Sequence, residues 1–380
     1  MTVLDRTPAP APALPQASPD AEQISLRARV ERAKHAYSTR MVAPLLRRSA
    51  TLSLITGEHR PMAGEVVLAR VTTIGQHKRI EGPASRRGRL FPGDEILVAY
   101  GARYAADQFH ALLPEDLGPC HLAAAGGLAG RVVEQHTAVG PATEIEPIGV
   151  LADEQGPITL ARAATHRPIP GLTARADRPG HRVPVVVVLG TSMNSGKSTV
   201  LAELAHGLAA AGLQVAAGKA TGTGAGNDAH LFADAGAHRV LDFTDFGLAS
   251  TYGLAADETR DLFASMVDEL AAGAHRPDIV LIEIADGVYQ GETARLLTDP
   301  AFEEVVDLVV LSAGDALGAV GGVHVLATLG IAPDLVSGVV TASPLAAAEA
   351  RRAVDVPVVD TPALGEAGTA REIVAGIIGR

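Results

Sequence analysis

One cysteine, Cys120, stands in the whole chain, so no internal disulfide can brace it and a disulfide-stapled secreted domain is excluded. No charged stretch followed by an apolar run opens the sequence, so nothing reads as a secretion signal and the expected compartment is the cytoplasm. Long hydrophobic runs are also missing. Apolar stretches such as 183–189 end in glycine or charge, far short of the roughly 20 residues a membrane helix needs, and no membrane contact is expected. Positive charge is in deficit: 32 Lys and Arg against 43 Asp and Glu give a formal net charge of -11. That balance lacks the basic footprint of a nucleic-acid binder, so nucleic acid is not an expected partner. The 380 residues exceed one ordinary core and suit two domains.

The texture changes along the chain. Residues 1–20 alternate proline and alanine with few large apolar groups, and such a composition predicts a disordered tail. Over 21–36, Ile24, Leu26, Ala28, Val30 and Ala33 amid arginines fit a short basic helix loosely. Tail and helix together make up 1–45. The runs within 46–170 are short and often alternating, as in Glu65-Val-Val-Leu-Ala-Arg-Val-Thr-Thr and Asp94-Glu-Ile-Leu-Val-Ala-Tyr. Turn signals such as Pro92-Gly93 and Gly140-Pro141 separate them, which predicts a small β-rich domain or barrel.

Three features of that region invite chemistry. The loop Gln76-His-Lys-Arg-Ile-Glu-Gly-Pro-Ala-Ser-Arg-Arg-Gly-Arg concentrates positive charge and could hold a phosphate or carboxylate, or be a solvated loop between strands. Lys78, Arg79, Arg86, Arg87 and Arg89 are its cations, and an anionic acceptor is their natural complement. Cys120-His121 has no further Cys and His at metal-ligand spacing, so a packed thiol beside an incidental histidine is the expected outcome. The glycines of Ala123-Ala-Ala-Gly-Gly-Leu-Ala-Gly lack the strand and helix of a dinucleotide site, and point to tight packing or a turn.

After a proline- and glycine-rich linker, 171–182, strands alternate with helix-length segments through 183–380, which predicts a parallel sheet covered by helices. The first strand, 183–189, is almost wholly apolar and runs into Gly190-Thr-Ser-Met-Asn-Ser-Gly-Lys-Ser-Thr, followed by a helix pattern over 197–211. Backbone N–H groups curled around a phosphate at a helix N-terminus need glycine where a Cβ would not fit. Gly190 and Gly196 supply it, Lys197 would reach the β- and γ-phosphates, and the Ser198 hydroxyl would take one position on Mg²⁺. Thr191, Met193, Asn194, Ser195 and Thr199 complete the expected phosphate contacts. The fold class is therefore α/β, a C-terminal P-loop parallel sheet with helices on both faces, preceded by a smaller β-rich domain.

The common loop pattern has four residues between its glycines, and this one has five. In that respect it resembles the loop of dethiobiotin synthetases and related P-loop enzymes of the SIMIBI superfamily, whose motif begins Gly-Thr-Asp. Lys219-Ala-Thr-Gly is similar to the synthetases' substrate-side lysine segment, and Asp278-Ile-Val-Leu-Ile-Glu-Ile-Ala-Asp-Gly to the strand whose glutamate helps hold Mg²⁺. Leu317-Gly-Ala-Val-Gly-Gly-Val-His-Val-Leu and Asp334-Leu-Val-Ser-Gly-Val-Val look like the later helix and strand. Ala220-Thr-Gly-Thr-Gly and Asp242-Phe-Thr-Asp-Phe-Gly also resemble the P-loop family that includes D-glutamate N-acetyltransferases.

On this resemblance Lys197, Lys219 and Glu283 are the candidate catalytic residues, Ser198, Asp228 and Glu283 the metal set, and ATP with Mg²⁺ the cofactors. Asp228 has a second reading as a helix N-cap. Ser192, Thr221, Asp286, Tyr289 and Glu292 are substrate-side candidates. Ser192 replaces the aspartate of Gly-Thr-Asp, which argues against the synthetase's diamine substrate. It also stands where ParA- and ArsA-like dimeric ATPases carry an extra lysine. The implied activity is phosphoryl transfer to a small, anionic metabolite by a kinase or ligase. Two alternatives stay open: a nucleotide-binding adaptor like MobB of molybdenum-cofactor synthesis, and a coenzyme A-dependent N-acyltransferase. A homodimer is also left open.

Overall fold

The computed structural model describes residues 19–172, 182–272 and 276–378. The expected tail lies almost wholly outside these residues, as do 173–181 of the expected linker. Pro19–Arg32 is helical. Five strands then close on themselves: Val66–Thr73, Glu95–Tyr100, Leu128–Gln135, Cys120–Ala124 and Thr143–Asp153. Four of the five junctions are antiparallel, and closure comes from a parallel pairing of Leu128 and Ala129 with Ala99 and Tyr100. Alternating residues fill the interior because successive strand side chains point to opposite faces, and closure leaves no edge within the ring.

Two expectations about this region change. Residues 34–45, read as part of a leading segment, belong to the barrel: Lys34–His35 pairs with Ile96 and Leu97, and Val42 packs in the same cluster as Leu68 and Leu97. The basic loop is a short antiparallel hairpin, Arg79–Glu81 with Arg87–Arg89. Local charge dominated the sequence signal there, while the pairing is made by backbone groups that any side chain permits.

The second unit is a six-stranded, all-parallel sheet. Its order is Arg239–Asp242, Val215–Lys219, Ile279–Glu283, Val185–Gly190, Leu308–Ser312, Leu335–Ser337. The central strand Val185–Gly190 is buried at every residue. Val185, Val187 and Leu189 enter one apolar cluster while Val186 and Val188 enter the other. That alternation is what helices on both faces require. The strand starts two residues later and ends one residue later than the expected run, and the helix after the loop, Lys197–Ala210, starts where the pattern placed it.

The barrel is locked onto the carboxyl edge of this sheet by specific contacts. Tyr37 donates its hydroxyl to Asp242 at 2.8 Å, and Arg40 reaches Asp245 at 2.6 Å. The Glu81 carboxylate accepts from Gly226 N–H at 2.9 Å, capping the helix Gly226–Asp234 from the other domain. Gly126 packs against Gly224 so closely that an added Cβ would lie 1.8 Å from the Gly224 carbonyl oxygen. The glycine-rich segment is thus a turn selected for close approach.

Candidate functional site

The site grows from three neighbouring strands that end together. Val188 is in register with Glu283, and Glu283 with Lys219, so the ends of the phosphate-loop strand and its two neighbours lie side by side. Ligands of open α/β sheets bind at this carboxyl edge. The loop after Val185–Gly190 needs left-handed backbone at Asn194 (φ 62°) and Gly196 (φ 98°), and Asn has the short polar side chain that best tolerates it after glycine. At Gly190 an added Cβ would stand 2.8 Å from the Lys197 ammonium and 2.5 Å from Ser195 Oγ. Only glycine leaves that cradle open.

Lys197 is buried, and its ammonium donates to the Ser192 carbonyl at 2.9 Å. Burial lowers its pKa, opposed chiefly by Glu283 and Asp286. Ser195 Oγ is buried without a partner. Ser198 and Thr199 begin the helix, Ser198 half-buried and Thr199 exposed. Thr191 donates its N–H to the Ser312 carbonyl, Ser192 is exposed and Met193 is half-buried.

Lys219 sits between two carboxylates, in an ion pair with Asp228 and 3.3 Å from Glu283 Oε1. Burial alone would lower its pKa, but Glu283 and Asp228 override it and the group is held well above its ordinary value. The N-cap alternative for Asp228 fails, because Ala225 holds that position and Asp228 lies in the first turn, turned to Lys219. Glu283 is 1% exposed, and its second oxygen, Oε2, has no hydrogen-bond partner. A buried carboxylate oxygen left in this way is costly unless a donor or cation occupies the space it faces. Glu283 Oε2 is therefore an oxygen that a hard cation would fit. Asp228 is occupied by Lys219, and among the described residues no group of three or more His, Cys, Asp or Glu is arranged to hold a metal ion.

Asp286 lies just past Glu283 in the left-handed region, φ 64°. Burial raises its pKa, and Lys197 and Lys219 pull the other way. The loop is pressed onto the phosphate loop at Gly287, where an added Cβ would lie 2.7 Å from the Thr191 carbonyl oxygen. The other substrate-side candidates separate. Thr221 is buried, its hydroxyl accepting from Ala285 N–H at 2.9 Å, which ties two loops together. Glu292 is 3% exposed and spans Gly253 N–H at 2.8 Å, Arg295 at 3.2 Å and Gln290. Both are braces of the loop framework. Tyr289 is 79% exposed and faces an interdomain cleft of about 830 Å³.

That cleft brings in residues no motif pointed to. Tyr104 and Leu112 of the barrel face Tyr252, Tyr289 and Arg295 of the sheet domain across it. Tyr252 bonds His110 at 3.2 Å, and the Tyr104 and Tyr252 rings lie 5.6 Å apart. On the same barrel segment Asp107 accepts from the Asn194 side chain at 2.8 Å, and Arg103 is 8% exposed. The hydrogen bonds join positions 87 and 142 residues apart in the chain, so no local pattern could have shown them. The basic hairpin does not line this cleft. Arg86 and Arg89 border a separate groove with Lys34 and Phe91, and none of the hairpin's five cationic side chains forms an ion pair or hydrogen bond among the described residues.

Two further expectations are resolved. Cys120 is buried with its thiol pushed up to about 12 by burial, and His121 accepts from Val132 N–H at 3.1 Å, an arrangement without metal character. Asp242-Phe-Thr-Asp-Phe-Gly forms a capped 3₁₀ turn whose aspartates receive Tyr37 and Arg40 of the barrel. No helix among the described residues is long and apolar enough to cross a membrane.

No protein-family model matches the chain, and no curated protein matches it. Solved structures with partial similarity include the signal recognition particle receptor FtsY from Elizabethkingia anophelis. In complex with GDP it is 15% identical with a TM-score of 0.32, covering 53% of this chain and 66% of that one. A second FtsY structure from that organism gives 16% and 0.29, with 51% and 55% covered. The 54 kDa signal recognition particle protein from Aeropyrum pernix K1 with GDP gives 20% and 0.34, with 58% and 50% covered. The chain thus spans from half to just under two thirds of the length of the structures it matches.

Proposed function

We propose that this protein is a nucleoside triphosphate-dependent enzyme, with ATP as the donor, that transfers a phosphoryl group to a small acceptor held between its domains. The observation that carries the reading is the convergence of Lys197, Lys219, Glu283 and Asp286 at one sheet edge beside an open glycine cradle. Lys197 and the loop backbone would hold the β- and γ-phosphates, and Ser198 with Glu283 would hold Mg²⁺. When bound, the metal would offset phosphate charge. Lys219, fixed as a cation by Asp228 and Glu283, would stabilise charge on the transferring group.

Asp286 is the proposed base. Its burial favours the protonated form, so its pKa is moved toward the working pH where general bases act well. An acceptor oxygen would attack the γ-phosphorus, the bond to the β-bridging oxygen would break, and the acceptor proton would pass to the Asp286 carboxylate. ADP and the phosphorylated acceptor leave. If the acceptor is itself a carboxylate, no proton is transferred and the product is an acyl phosphate, the ligase branch of the same reading. The tyrosine-lined cleft is the proposed acceptor site, since segments 103–107 and 286–292 both border it and both reach the phosphate loop.

A machinery of lysines and carboxylates beyond the phosphate loop supports an enzyme over an adaptor, which needs only the loop. The test is a thermal-shift screen of ATP, GTP and coenzyme A, each with and without Mg²⁺, because a ligand that binds only the folded state raises its stability. ATP with Mg²⁺ should give the largest rise. A rise with coenzyme A alone would overturn the phosphoryl-transfer reading in favour of acyl transfer.

A further inference from the structure

Two buried cations, Lys197 and Arg103, have no carboxylate within ion-pair distance among the described residues. Lys197 donates to a neutral carbonyl, and Glu283 and Asp286 act on it only from beyond ion-pair distance. Arg103 arrives from the other domain on the strand Arg103–Tyr104. Its guanidinium donates to the Ala123 carbonyl, its Nε is buried without a partner, and no described carboxylate pairs with it either. Lys219 shows the contrast, because Asp228 and Glu283 hold it from two sides.

A guanidinium taken out of water without an anion is strongly unfavourable, and proteins retain one where an anion comes to it. Burial presses Arg103 down to about 10. Asp107 and Asp286 oppose that shift electrostatically, but Asp107 forms no ion pair with it: one of its oxygens accepts from the Asn194 side chain and the other, Oδ1, is buried with no partner. Arg103 lies on the barrel segment that Asp107 ties to the phosphate loop through Asn194, and Asp286 feels both Arg103 and Lys197 electrostatically, one from each domain. The Asp107–Asn194 bond fixes the barrel segment over the phosphate loop while leaving the guanidinium's remaining donors unused.

We propose that Arg103 is a ligand of the terminal phosphate, supplied by the barrel to the P-loop of the same chain. It rests on the reading of the site as a nucleoside triphosphate site and adds what the barrel contributes to it. The γ-phosphate lies on the acceptor side, toward Asp286, and a planar guanidinium can take two of its oxygens at once, which an ammonium cannot. Closure of the site would then be sensitive to whether the nucleotide is a triphosphate or a diphosphate.

The test is isothermal titration of MgATP and MgADP into the full-length protein, wild type, Arg103→Met and Arg103→Lys. Methionine keeps much of the buried volume and removes the charge; lysine keeps the charge and loses the fork. With Arg103→Met, MgATP affinity should fall roughly ten- to hundredfold while MgADP affinity stays within about twofold. Arg103→Lys should fall between. Equal losses for both nucleotides, no loss for either, or failure of both variants to fold would make Arg103 a structural residue and overturn the proposal. If the wild type binds neither nucleotide, the nucleotide reading itself fails and this proposal with it, a result distinct from the others.

Discussion

Asn194, in the left-handed turn of the phosphate loop, donates its side-chain amide to the Asp107 carboxylate of the barrel at 2.8 Å. The loop proposed to bind phosphates is thereby also a docking surface for the second domain. What changes at one is felt at the other.

Lys197→Ala and Ser198→Ala should both weaken triphosphate binding, the lysine change by about one to two orders of magnitude. The serine change should matter more in Mg²⁺ than in EDTA, because its hydroxyl serves the metal. Titration calorimetry in the two buffers reads this directly. Unchanged affinity in both variants would remove the P-loop assignment.

Glu283→Gln should leave the melting temperature within a few degrees and lower Mg²⁺-dependent turnover about a hundredfold or more, since the amide keeps the size and removes the charge. Asp228 still holds Lys219 in this variant. Normal turnover at limiting Mg²⁺ would instead make Glu283 a brace for Lys219.

Gly126→Ala should destabilise by about 1–3 kcal/mol in a denaturant melt, because the new methyl meets the Gly224 carbonyl, which is backbone and cannot swing aside. Gly368→Ala is the control. Its site on the helix Ala367–Val374 has nothing within 4 Å of an added Cβ, so it should be neutral or slightly stabilising.

His77 is held to about 4 by burial, with Arg103 adding to the effect. Its folded pKa lies below the unfolded value near 6.5, so the unfolded chain binds the extra proton first. The neutral-histidine stability is therefore present above about pH 6.5 and lost as pH falls toward 4. Replacing it by glutamine should flatten the pH dependence of stability in that window by up to about 3 kcal/mol relative to wild type. Identical slopes for the two proteins would show that His77 titrates normally.

The sequence alone determined the elements whose information is local. A strand buried on both faces must be apolar throughout, a phosphate cradle must carry glycine at Gly190 and Gly196, and a lysine must follow at 197, so the P-loop was legible from adjacent residues. Lys219 and Glu283 could be singled out because each ends an apolar strand, and in a parallel sheet such ends gather at one edge. The barrel's existence showed in alternating runs, but its closure did not, because pairing of Leu128 with Ala99 is a backbone event with no side-chain signature. Only the tertiary structure decided that Asp228 belongs to Lys219, that Glu292 and Thr221 brace loops, and that the basic hairpin lies away from the cleft. It also brought Asp107 to the phosphate loop, with Arg103 on the same barrel segment. Asp228 and Lys219 are nine positions apart, but the contacts Thr221–Ala285, Glu292–Gly253 and Asp107–Asn194 join residues 64, 39 and 87 positions apart, where packing sets the geometry and local pattern carries no trace of it.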